Sequence, residues 1–234
     1  VHYSKGIPWY NPDVLRKIYA IGLAPFLMNI CSCVVVIFIN KSILEYAGAL
    51  GDIGVGAFGI LNRTTMLFVM VVFGVTQGMQ PILGYNYGAA NWPRVMRTLR
   101  IGIRIGFLIT LVGCLVSELF PDAITGLFTS DEQMTLIARR AYRIYFVCFP
   151  LVGVQIIIQN FFQSIGHPKL SIFLSLTRQL LFLLPCLWLF PRFFGLEGVW
   201  GGMTFSDFLA FVLAVVTAII ATRTEGRKLQ QHKP

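Results

Sequence analysis

Six apolar stretches, each about as long as a helix needs to cross a bilayer, dominate this chain: about 19–39, 54–80, 101–120, 144–165, 170–190 and 198–221. A hydrocarbon core of ordinary thickness takes roughly 20 apolar residues in helical conformation. Between the stretches lie polar or turn-rich joints: Lys41 to Asp52, Gly84 to Arg100, Pro121 to Arg143, Gly166-His167-Pro168-Lys169, and Pro191 to Gly198. Only 12% of the 234 residues are charged and mean hydropathy is +0.73, where soluble domains carry about 25% charge to wet their surface. Lipid is therefore the expected solvent. The fold class that follows is all-α integral membrane, a six-transmembrane-helix bundle, with the lipid bilayer as first partner. The 22 glycines fit the same reading, because glycine lets helices approach closely in a bilayer.

Charge sets the expected orientation. If the six stretches alternate direction, one side receives Lys5, Arg16, Lys17, Arg94, Arg97, Arg100, Arg104, Lys169, Arg223, Arg227, Lys228 and Lys233. The other receives Lys41, Arg139, Arg140, Arg143 and Arg192, together with the acidic run Asp131-Glu132. Basic residues favour the cytoplasm, so both termini are expected there, in a multi-pass protein of the plasma (cytoplasmic or inner) membrane. The expected organisation is a cytoplasmic linker at 1–17, a six-helix lobe at 18–222 and a basic tail at 223–234. The net charge of +9 sits at segment ends and lacks the basic-aromatic interleaving of an RNA surface, so no nucleic-acid partner is expected. The opening Val-His-Tyr-Ser-Lys-Gly has no signal-peptide pattern and reads as the interior of a longer protein.

No metal or enzyme chemistry is legible. His2, His167 and His232 lie in termini or a joint, and no phosphate-cradling glycine loop with its Lys occurs. Cys31 and Cys33 diverge by about 200° on a helix, and Cys114, Cys148 and Cys186 read as small apolar residues. No catalytic residue and no cofactor is expected.

What stands out are polar groups inside oily segments, which are costly there and so are candidates for function or for interhelical hydrogen bonding. Asn62 and Gln80 are separated by five whole helical turns and share a face, with Gln77 about 60° away. Pro81 frees the carbonyl of Gln77 in that turn. Arg63 beside them either snorkels to the interface or meets an acid. Gln155, Gln159 and Gln163 form an amide stripe within about 80°, with Asn160 at its edge. Arg178 lies near the middle of the fifth stretch with Ser171 and Ser175 on its side. Asp207 lies in the sixth, flanked by Trp200, Met203 and Phe211. An Arg178–Asp207 ion pair is expected to link the two, either as a permanent lock or as a relay in which Asp207 takes a proton and releases Arg178. Gly102-x-x-x-Gly106 matches a helix-contact spacing that is common by chance and carries little weight alone.

The segment Gln77-Gly78-Met79-Gln80-Pro81, followed by Gly84-Tyr85-Asn86-Tyr87-Gly88-Ala89, closely resembles the multidrug and toxic compound extrusion (MATE) family. Gly22-Leu23-Ala24-Pro25, Phe161-Phe162-Gln163-Ser164-Ile165-Gly166 and Ser175-Leu176-Thr177-Arg178-Gln179 fit the same family, so the resemblance covers essentially the whole chain. It implies one lobe, the C-terminal one, of a twelve-helix transporter that exports cationic or amphipathic compounds by antiport against H+ or Na+. The partners implied are a small amphipathic substrate and the missing N-terminal lobe or a second half-transporter. The pathway residues expected on this reading are Asn29, Asn62, Gln77, Gln80, Gln155, Gln159, Gln163, Arg178 and Asp207.

One departure matters. Some members bind the coupling cation with carboxylates in the seventh and tenth helices, whereas Ile18 to Asn40 here holds no Asp or Glu, only Asn29, Cys31 and Ser32 as polar candidates, and the fourth stretch holds amides. A two-carboxylate sodium site is not expected in this lobe, which leaves a carboxylate in the absent lobe as an alternative. A lipid-linked oligosaccharide flippase of related architecture would need more cavity cations than Arg178, and a non-transporting scaffold would need fewer polar stripes.

Overall fold

The computed structural model describes the backbone of residues 12–231 and the side chains of residue 26 and residues 29–226. Expectations for residues 1–11 and 232–234, most of the linker and the end of the tail, lie outside the described residues. The chain is α-helical: α1 Pro12–Ala47, α2 Gly51–Gly88, α3 Trp92–Leu119, α4 Pro121–Gly126, α5 Glu132–Tyr145, α6 Phe149–Ser164, α7 Pro168–Leu176 and α8 Leu184–Gln231, with a π-helical segment Thr177–Leu183 joining the last two.

Among the described residues, four helical stretches are long and apolar enough to cross a membrane: Asn29–Gly88, Trp92–Leu119, Glu132–Ser164 and Pro168–Gly226. Two of them run 60 and 59 residues, about 90 Å if straight, or roughly three bilayer cores. Neither is straight. Gly48 (φ 55°) folds α1 back on α2, and Gly195 (φ 56°) folds α8 on itself. Only glycine takes that backbone conformation without a Cβ penalty. Each long stretch is thus a hairpin, and six segments cross the membrane.

The turn of the second hairpin is tight because glycine lines it. A Cβ on Gly198 would strike the backbone of Phe190 and lie 2.8 Å from the Cα of Pro191; one on Gly202 would lie 3.1 Å from the Cys186 carbonyl oxygen. These contacts set the register of the two arms. Continued inward, it places Asp207 opposite position 181, within one helical turn of Arg178.

The joints differ from expectation in two places. Gly84 to Gly88 is not a loop: α2 continues through Pro81 to Gly88, and the reversal is confined to Ala89, Ala90 (φ 53°) and Asn91. A proline removes one donor and kinks a helix without having to end it where neighbours hold both sides. Asn91 then caps α3, its side chain accepting from the Arg94 amide, with Pro93 in the first turn. The joint Pro121 to Arg143 is helical too. It contains α4 and the amphipathic α5, capped by Asp131 and pinned by Arg139 to Asp122 at 2.6 Å.

Gly102 and Gly106 form a real helix contact. Both are buried, and a Cβ on Gly106 would lie 2.8 Å from Ile157 Cγ1 and 3.1 Å from the Gly153 carbonyl oxygen of α6. The sequence shows only half of this contact, because the matching glycine, Gly153, stands on another helix. Thr110 seals it by donating to the carbonyls of Gly106 (2.8 Å) and Pro150 (3.2 Å). Replacing Gly153 by Val should lower stability by about 1–3 kcal/mol through overpacking. Thermal unfolding of the detergent-solubilised protein checks this, with Gly59→Ala, which meets no atom within 4 Å, expected to be silent.

At the arginine-rich end, Tyr87 donates to Glu225 Oε2 (2.7 Å), and His167 Nε2 lies 3.7 Å from Glu225 Oε1. The last turn of α2, the α6–α7 joint and the end of α8 are thereby tied together.

Candidate substrate and ion pathway

The expected ion pair forms. Arg178 Nε donates to Asp207 Oδ1 at 2.8 Å, and the side chains are 27% and 7% exposed, respectively. Asp207 is the inner partner and Arg178 the one that reaches a cavity. Arg178 is the second residue of the π-helical segment. Such a segment widens the helix by one residue per turn, and π-bulges occur often at functional sites. Its neighbour Gln179 donates to Ser32 Oγ of α1 at 3.0 Å, which fixes the segment against the first hairpin.

The cavity in front of Arg178 has a volume of about 300 Å³. Its floor and one wall come from α6 through Gln159, Asn160 and Gln163. Ser171 and Ser175 of α7 stand on the Arg178 side, and Thr65, Val69 and Phe73 of α2 opposite. Tyr145, buried at the end of α5, completes it beside Thr65, whose hydroxyl donates to the Leu61 carbonyl at 2.9 Å. Accessible amides and hydroxyls beside a cation make a site that can orient polar groups of a ligand while the Val and Phe side chains contact its apolar body.

The other candidates divide into two groups. Gln155 is 1% exposed and, among the described residues, neither its Nε2 nor its Oε1 has a hydrogen-bond partner. The amide stripe therefore opens into the cavity at Gln159 and Gln163 and continues as an enclosed amide at Gln155. Asn62, Gln77 and Gln80 are exposed on α2, and Asn29 on α1. Arg63 is also exposed and makes no ion pair among the described residues. Asn62 and Gln80 stand on the same face of α2 as the cavity-lining Val69 and Phe73, but Asn29, Asn62, Gln77 and Gln80 do not themselves line the cavity. Sequence reasoning missed Tyr145, Thr65 and the Ser32–Gln179 link. Tyr145 stands at the very start of the fourth apolar stretch, where an interfacial tyrosine is unremarkable, and hydroxyls are too common in apolar helices to single out.

Six membrane-crossing segments, a polar cavity between α2, α6 and α7 with a buried ion pair behind it, and amide side chains on an exposed face are the features of one lobe of a polytopic membrane transporter fold. The MatE family model matches residues 20–189, and the chain belongs to that family. Among curated relatives, the multidrug export protein MepA of Staphylococcus aureus (strain bovine RF122 / ET3-1) is 20% identical over 208 residues, covering 88% of this chain and 44% of that protein. Its counterpart in Staphylococcus haemolyticus is 21% identical over 203 residues, 86% and 43% of the two chains. Among solved structures, a multidrug resistance MATE family transporter of the MOP superfamily matches in its inward-facing conformation with TM-score 0.86 at 23% identity, covering 96% of this chain and 51% of that one. The outward-facing conformation matches with TM-score 0.83 at 22% identity, over 100% and 50%. The MATE multidrug transporter DinF-BH in complex with R6G is 33% identical with TM-score 0.76, over 94% and 49%. The chain spans about half the length of the relatives it matches.

Proposed function

We propose that this chain is the C-terminal lobe of a cation-coupled antiporter that exports cationic or amphipathic compounds across the cytoplasmic membrane. On this reading both termini are cytoplasmic, residues 1–17 link the lobes, 18–222 form the lobe and 223–234 a basic tail. A second lobe, in the same polypeptide or in a second half-transporter, covers the exposed face of α2 and encloses the cavity. The substrate touches Gln159, Gln163 and the exposed groups Asn29, Asn62, Gln77 and Gln80. The enclosed amide Gln155 and the Arg178–Asp207 pair stand behind them.

The observation that carries this reading is the order of the charges: Arg178 at the cavity, Asp207 behind it. While Asp207 is ionised the pair is neutral overall and the cavity tolerates a cation. When Asp207 takes a proton, the positive charge of Arg178 is uncompensated. At an effective dielectric near 20, a second cation about 6 Å away is then disfavoured by about 3 kcal/mol. Proton uptake and cation release are coupled in the sense an exporter needs, with H+ as the coupling ion. The names of the relatives, a multidrug export protein and a multidrug transporter, support the substrate class.

Expression of the full reading frame should lower ethidium accumulation in cells severalfold. A protonophore should restore accumulation, and dissipating the sodium gradient alone should not. Unchanged accumulation with the protein present in the membrane would overturn the export reading; a sodium dependence would move the coupling site out of this lobe.

A further inference from the structure

The exposed faces of α2 and α3 differ in chemistry. Past its arginines, the outer face of α3 carries only apolar residues: Leu108, Val112, Leu115 and Leu119, each 50% exposed or more. Its inner face, from Val95 and Leu99 through Gly106 to Ser117, is buried against the bundle. A face this apolar meets lipid, whereas the amide-bearing face of α2 does not.

At the head of that lipid-facing stripe stand Arg97, Arg100 and Arg104, all exposed. On a helix the three fall within about 60° of one another and extend over about 10 Å, with Leu108 and Leu115 on the same line below. Among the described residues none of the three makes an ion pair. Arg104 lies roughly one turn deeper than Arg100, which puts a guanidinium at the level of a headgroup rather than above it. Three unneutralised guanidinium groups on one helix stripe above an apolar strip match the two ends of an anionic phospholipid. Guanidinium is the side-chain group best shaped to hold a phosphate oxygen pair.

We propose that α3 holds an anionic phospholipid, its phosphate between Arg97, Arg100 and Arg104 and its acyl chains along Leu108, Val112 and Leu115. The site lies on the lipid face, separate from the cavity of Arg178. It needs three arginines on one stripe, not merely a positive protein end.

The full-length protein in detergent, titrated with dioleoylphosphatidylglycerol or dioleoylphosphatidylcholine and read by native mass spectrometry, tests this. The anionic lipid should bind at least about tenfold more tightly than the zwitterionic one, with roughly a fivefold loss for each arginine changed to Gln. The combined Arg97→Gln, Arg100→Gln, Arg104→Gln variant should bind both lipids alike. Dihexanoylphosphatidylglycerol, with the headgroup but short chains, should bind weakly. Arg223→Gln, an exposed charge at the same end but on α8, should leave the preference intact. Equal binding of the two lipids by the unaltered protein, or a preference that survives the triple change, overturns the site. So does an equal loss from Arg223→Gln, which would mean diffuse attraction. If the triple variant does not fold, the three single variants and the lipid-dependent rise in Tm of the unaltered protein decide the question.

Discussion

Changing Asp207 to Asn should reduce gradient-driven efflux at least about tenfold while the protein still reaches the membrane, because under the proposed relay the proton-carrying position is then permanently neutral. The change also removes the counter-charge of a largely buried arginine, and breaking a buried pair from one side costs about 3–5 kcal/mol. Loss of transport alone would not distinguish a relay from a lock, since both suffer when Arg178 is left bare. A paired variant separates them. Replacing both partners by apolar residues of similar volume, Arg178→Met with Asp207→Leu, removes the unpaired charge and should restore much of the lost thermal stability. If the pair only holds the fifth and sixth segments together, efflux returns with stability. If Asp207 carries the proton, stability returns and efflux does not. Normal efflux from a fully expressed Asp207→Asn protein would eliminate the relay outright. The 2.8 Å contact with Asp207 almost enclosed and Arg178 toward the cavity leads us to expect stability without efflux.

The second large effect concerns which exposed face is wet. With single cysteines in a full-length protein lacking other reactive thiols, Asn62→Cys, Gln77→Cys and Gln80→Cys should react with a membrane-impermeant maleimide. Leu108→Cys and Leu115→Cys should react at least an order of magnitude more slowly, because only the hydrated thiolate is nucleophilic and a lipid-facing thiol stays protonated. An excess of transported substrate should slow labelling at the three α2 positions and leave the α3 positions unchanged. Equal labelling of both sets would mean that the polar face of α2 is no passage. On the proposed reading the α2 set should also respond to the state of the transporter, since a second lobe would cover this face in some states and free it in others.

How much of this was legible in the residues depends on whether one helix or two decide the feature. Span number and the order of the joints follow from hydropathy, because lipid punishes any long polar interruption. The Arg178–Asp207 pair was also legible, since two opposite charges in neighbouring oily segments have few other ways to lower their cost. What failed was local punctuation. The Gly84–Gly88 run looked like a turn and is the last helical turns of α2, because Pro81 is accommodated there and its neighbours keep their ladder. The π-helical segment at Thr177–Leu183 has no sequence signal, since it reflects how Gln179 and Arg178 reach Ser32 and Asp207 on other segments. The amide stripe was correctly placed on one face of α6, but a periodicity cannot say which neighbour covers which turn. Gln159 therefore opens to the cavity while Gln155 is enclosed. Likewise Gly102 and Gly106 gain meaning only once Gly153 stands opposite.

The hairpin folded at Gly195 has a consequence for how the protein is made. An arginine or an aspartate alone at mid-membrane opposes insertion by about 2.5–3.5 kcal/mol. Because the glycine-lined turn brings the two arms into register before any other segment is required, each charge can meet its opposite as the second arm arrives. The last two segments should therefore leave the insertion machinery as one neutral unit, each serving as the other's solvent during biosynthesis.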